Sequence, residues 1–118
     1  MSEQVAEVTK TRRLELVDAQ GNTRAMLGFR DGCPRLVLFD ESDIARAMLT
    51  LRRDGNPVME LHDRHEVVRV QAGLDDSGNP LVTVADGDRK NVAVLGIGKD
   101  GGAGLVLTRD GEVVVKLP

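Results

Sequence analysis

The chain has no tryptophan and no tyrosine, and among its 118 residues only two phenylalanines, Phe29 and Phe39. Rings normally supply the bulkiest core volume. A core without them is built from Leu, Val, Ile, Met and Ala, and its backbones must come close together. A single cysteine, Cys33, excludes an internal disulfide and fits a reducing compartment. No stretch approaches the roughly 18 consecutive apolar residues of a membrane-spanning helix. The opening MSEQVAEVTKTRR lacks the apolar run of a secretory signal. There is no basic stripe to neutralise a phosphate backbone either, since 19 acidic and 16 basic residues are interspersed and leave a formal charge of −3. We therefore expect a soluble, cytoplasmic protein with neither nucleic acid nor membrane as a partner.

What the chain does have is one phrase written several times. DGCPRLVLFD at 31–40 returns as DGNPVMELHD at 54–63, as SGNPLVTVAD at 77–86 and, altered, as DGGAGLVLTR at 100–109. Gly32, Gly55, Gly78 and Gly101 are spaced by 23 residues, and so are Pro34, Pro57, Pro80 and Ala103. LELVD at 14–18 is an earlier copy, one residue closer to the next. Many columns holding one spacing mark a tandem repeat of about 23 residues.

Each unit contains two alternating runs. The first reads Leu36, Leu38, Asp40; the second, after a short loop, reads Arg46, Ala47, Leu49, Leu51. Alternation with period two over five or six residues is the signature of a half-buried strand. Asp-Gly and Ser-Gly place glycine where φ must be positive, and proline two residues on suits the first position of a strand. Asp110-Gly111 reads as a tight hairpin. The pattern predicts an all-β chain of nine or ten short strands over residues 13–118, forming a single domain. Residues 1–12 are expected to be a tail or a short helix.

A ribbon of this kind shows one aliphatic face to water and must cover it. The seam residues are Leu36, Leu38, Leu49, Leu51, Leu61, Leu74, Val84, Leu95 and Leu107. Val37, Phe39, Met48, Met26, Val58, Val94 and Val106 point the other way, among Arg35, Glu15, Glu60 and Thr83. A monomeric barrel of this strand number needs large interior side chains, which are missing. We expect an intersubunit β-prism, a homotrimer resembling a triple β-helix, in which three thin sheets meet along an aliphatic axis. The alternative is a single-chain β-solenoid stacking Leu36 over Met59 over Val82 over Leu105.

The clearest polar constellation is an Asp and an Arg flanking a loop: Asp18 with Arg24, Asp40 with Arg46, Asp63 with Arg69. The expectation is a structural salt bridge across each turn. Asp86 lacks its arginine, and Arg89 or Lys90 is the expected substitute. DGDRKN and DDSGN are poor calcium loops, one interrupted by cations and the other without a distal Glu. His62 and His65 lack further zinc ligands. GIGKDGGAG at 96–104 has Asp100 where a phosphate-binding loop needs Ser or Thr, and a strand where it needs a helix. No catalytic triad can be assembled. No metal, cofactor or catalytic residue is expected.

The phrase resembles a pattern found in uncharacterised bacterial repeat proteins, DGxPxLxLxDxxGxxRAxL. Asp31, Gly32, Pro34, Leu36, Leu38, Asp40, Arg46, Ala47 and Leu49 carry the resemblance, with their echoes over residues 13–109. The fourth copy departs from it at Ala103 and Arg109. The resemblance implies a repeat fold and brings no activity with it. The expected function is a non-enzymatic structural or assembly module, with further copies of itself as partners in a homotrimer. The alternative is a binding module whose loops, such as 41–45, or arginine-bearing outer face hold a protein or carbohydrate.

Overall fold

The computed structural model describes residues 4–118. Ten strands follow one another: β1 (Leu14–Val17), β2 (Thr23–Arg30), β3 (Cys33–Phe39), β4 (Ala45–Leu51), β5 (Pro57–His62), β6 (Val68–Leu74), β7 (Pro80–Ala85), β8 (Val92–Ile97), β9 (Ala103–Arg109) and β10 (Glu112–Leu117). They lie in chain order in one ten-stranded antiparallel sheet. Strands touch only their chain neighbours, so the sheet neither closes nor folds into a second layer. No helix occurs among the described residues. The short helix expected near the N-terminus is thus absent from residues 4–12, and residues 1–3 lie outside the described ones.

Turn chemistry produces this meander. Six connections are three-residue loops closed by the same pair of backbone hydrogen bonds. In one of them Asp40 N–H donates to Ile44 O at 2.9 Å and Asp43 N–H donates to Asp40 O at 3.1 Å. The last loop residue takes a left-handed conformation, as at Gly21, Asp43, Gly55, Glu66, Gly78 and Gly101. This is a turn followed by a bulge, which reverses a strand onto itself. Asp31-Gly32 and Asp110-Gly111 make two-residue turns with both residues at positive φ. Pro57 and Pro80 open β5 and β7, where a missing N–H costs least.

Reversal after every strand is why the chain does not coil as a single-chain solenoid. Parallel neighbours need a crossover of a dozen or more residues, and these loops are far shorter. Leu36 therefore does not lie over Met59; Leu49 of β4 stands between them and pairs with both.

The result is elongated, 64 × 32 × 27 Å, with a radius of gyration of 18.4 Å. A compact domain of this length would have about 13.5 Å. Only Met26, Val37 and Ala85 are buried hydrophobic residues. All stand on the face opposite the leucines. Gly73 lies in this tight region: a Cβ there would sit 2.6 Å from the Pro57 carbonyl oxygen, so only glycine lets the two backbones pass.

Candidate functional site

The pairing register sorts side chains into rows that cross the sheet. The central row of one face runs Leu14, Leu27, Leu36, Leu49, Met59, Ala72, Val82, Leu95, Leu105, Leu117, one residue per strand. A second row runs Leu16, Ala25, Leu38, Ala47, Leu61, Val70, Val84, Ala93, Leu107, Val115. A third, shorter row holds Phe29, Pro34, Leu51, Pro57, Leu74, Pro80, Ile97 and Ala103. These rows contain no charged or hydrogen-bonding side chain. Large and small residues alternate along much of the second row, the arrangement that lets facing layers interdigitate.

All nine expected seam residues stand in these rows. Leu36, Leu38, Leu49, Leu51, Leu61, Val84 and Leu95 are exposed by 40 to 54 %, and Leu74 and Leu107 are half-buried. A strip about 45 Å long and three side chains wide, on the order of 700 Å² in plan, follows from a strand spacing of ~4.8 Å. The largest apolar patch on a typical monomer is about 300–600 Å².

The opposite face is mixed. Its middle row runs Glu15, Met26, Val37, Met48, Glu60, Gln71, Thr83, Val94, Val106, Lys116. Glu60 accepts from the Gln71 amide at 3.2 Å through Oε2, while its Oε1 lies 3.2 Å from His62 Nε2. His65 is exposed in the β5–β6 loop.

Along one rim, the expected ion pairs are formed. Arg24 Nη1 is 3.8 Å from Asp18, Arg46 Nη1 is 3.3 Å from Asp40 and Arg69 Nη1 is 3.4 Å from Asp63. Sequence reasoning missed the other half of each contact. Arg24 Nε donates to the Phe39 carbonyl at 3.1 Å, Arg46 Nε to that of His62 at 2.9 Å and Arg69 Nε to that of Ala85 at 2.7 Å. Each guanidinium thus ties its own loop to the end of the next odd-numbered strand. The 22- or 23-residue spacing of Arg24, Arg46 and Arg69 was the available signal.

The carboxylates hold backbone as well as arginine. Asp40 Oδ1 accepts from the Ser42 and Ile44 amides at 2.9 and 3.1 Å. Asp63 does the same with His65 and Val67, and Asp75 with Ser77 and Asn79. The Ile44 amide is the chief cause that holds Asp40 below the ordinary carboxylate range; Ser42 and Arg46 add to it and desolvation opposes it. The amides of Val67 and Asn79 act alike on Asp63 and Asp75.

At the β7–β8 turn the expectation of Arg89 or Lys90 is corrected. The loop is one residue longer, and Asn91 takes the arginine's place. Its Nδ2 donates to Asp86 at 2.6 Å, and its Oδ1 accepts from the Asp110 amide at 3.2 Å. The added residue leaves Arg89 at the left-handed position of the loop. On the other rim Arg52 is a further tie, donating to the Leu74 carbonyl at 2.6 Å and lying 3.5 Å from Asp54.

GIGKDGGAG forms the β8–β9 hairpin, with Gly98 N–H donating to Gly102 O at 3.0 Å. Among the described residues no three His, Cys, Asp or Glu side chains gather closely enough to hold a metal ion. Neither a protein-family model nor a curated protein matches the chain.

Proposed function

We propose that this chain is a structural assembly module. Its tandem units of about 23 residues, each contributing one odd and one even strand, build a ribbon that associates with two further copies through its aliphatic rows. The observation that carries this reading is the uncovered set of aliphatic rows, two of which span all ten strands.

Two geometric facts favour three copies. Sheets twist by about 20–25° per strand, so a ribbon of this length turns through roughly half a revolution. Copies cover such a strip along its whole length by winding about a shared axis. Eight of the ten strands hold six or seven residues, which span about 20–24 Å at ~3.4 Å per residue. An equilateral prism with sides of that length places each sheet about 6 Å from its axis, close to half the ~10 Å spacing of packed sheets. Leu, Val and Ala fill that distance. A fourth sheet would widen the interior to about 10 Å from wall to axis, a gap that calls for the large rings this chain lacks.

Sedimentation equilibrium tests the proposal. The expected native mass is about three times the chain mass of 12.8 kDa. A stable, cooperatively folded monomer would overturn self-association, and a dimer would overturn the prism.

A further inference from the structure

Four arginines gather around one hollow on the mixed face, at the rim carrying the β2–β3 and β4–β5 turns. Arg30 ends β2, Arg35 stands in β3 opposite Gly28 and Thr50, and Arg52 and Arg53 begin the β4–β5 turn. Together they line a hollow of about 340 Å³ with Cys33 and Thr50. The wall also carries two carboxylates, Asp31 and Glu60, and two more, Asp54 and Asp76, lie on Arg52, so what marks the hollow is three guanidiniums without an ion pair rather than its net charge.

Arg52 is shared between Asp54 and Asp76, whereas Arg30, Arg35 and Arg53 make no ion pair among the described residues. Glu60 lies on the wall of the hollow; its two oxygens are turned to His62 and Gln71 and make no ion pair with the arginines, although its charge remains. Asp31, the other carboxylate of the wall, sits at the tip of the β2–β3 hairpin. The Nε atoms of Arg35 and Arg52 are shielded from solvent and lack any acceptor. A buried donor left unpaired is costly, and an anion reached by turning the Arg35 guanidinium would remove that cost, whereas Arg52 is already held by the Leu74 carbonyl and Asp54.

We propose that this hollow binds a phosphate-type oxyanion, a phosphomonoester or pyrophosphate group. Guanidinium forks donate two parallel hydrogen bonds to such a group. A phosphoryl group offers terminal oxygens to several forks at once, which a single carboxylate does not. The site is on the face opposite the aliphatic rows, so it stays open in an assembly and does not depend on self-association.

The test is calorimetric titration of pyrophosphate into the full chain at physiological salt, alongside co-sedimentation with vesicles containing phosphatidic acid. Saturable binding is expected in at least one arm: pyrophosphate alone points to a soluble phosphorylated ligand, vesicles alone to a lipid headgroup. Arg35→Gln and Arg53→Gln should each weaken it at least tenfold, or about 1.4 kcal/mol. Arg64→Gln, in an exposed loop of the other rim, should leave it unchanged. Circular dichroism and native mass verify each variant, and Arg53, in an exposed turn, carries the test if Arg35→Gln does not fold. Lack of saturation in both arms, or an equal loss in Arg64→Gln, overturns the proposal.

Discussion

Leu49 and Val37 stand on adjacent strands and face opposite ways. Leu49, among aliphatic neighbours only, is 48 % exposed, whereas Val37, on a face shared with Glu60, Gln71 and Lys116, is 1 % exposed. Hydrophobic composition and burial run in opposite directions across this sheet. The mixed face buries Met26, Val37 and Ala85 within a single chain. The aliphatic face has no second layer over it among the described residues. In the assembly proposed above, further copies of the chain would supply that cover.

The largest predicted effect breaks this contrast on the aliphatic side. If Leu49 were merely a half-exposed surface residue, Leu49→Asp would change stability by about 0.5 kcal/mol or less. Within a shared seam it brings one carboxylate per copy together without partners, at a cost of several kcal/mol each. The expected outcome is loss of both the oligomer in sedimentation and the cooperative unfolding transition in circular dichroism. Leu38→Asp should behave alike, because Leu38 lies in the adjoining row.

Val37→Ala tests the other face. Removing two buried methyl groups costs about 2 kcal/mol, transfer and cavity together. Native mass should be unchanged, since the side chain is covered by its own sheet. A chemical denaturation series with parallel sedimentation separates the two faces: one substitution lowers stability at constant mass, the other removes mass and stability together.

A smaller effect is expected at the rim that joins the faces. Arg46→Gln removes the fork that holds Asp40 and the His62 carbonyl. The side chain is 44 % exposed, so screening limits the loss to about 0.5–1 kcal/mol. The denaturation midpoint should fall slightly, with native mass kept.

Most of this architecture is legible in the sequence, and the parts that are not share a cause. Alternation fixed by Leu36, Leu38 and by Ala47, Leu49, Leu51 assigns both strands of a unit and the face each residue takes. The loops announce themselves through Asp and Gly. Antiparallel pairing was not read, because alignment of Leu36 with Met59 follows equally from stacking and from a meander with one strand between. Loop geometry decides it, and loop geometry depends on left-handed residues such as Asp43 and Glu66 that carry no glycine to mark them. Asn91 was missed because the β7–β8 loop gained a residue, shifting the tie off its column. The arginine hollow joins Arg30, Arg35, Arg52 and Arg53 across three strands, and no single window of sequence contains it.

The smallest effect concerns protons, and acts on the rims rather than on either face. Asp40, Asp63 and Asp75 titrate below the ordinary carboxylate range because backbone amides, those of Ile44, Val67 and Asn79 first, stabilise their ionised forms. In an unfolded chain these groups titrate near ~3.9. A carboxylate depressed in the folded state binds fewer protons than its unfolded counterpart, so its contribution is complete above that value. It is lost as pH falls through the depressed one. The denaturation midpoint should therefore be flat from neutral pH down to about 5 and decline below about 4. Asp40→Asn keeps an oxygen for the Ser42 and Ile44 amides but has no charge to lose, so the decline should be shallower in that variant. A profile as steep as that of the parent would show that the loop carboxylates do not set the acid limit.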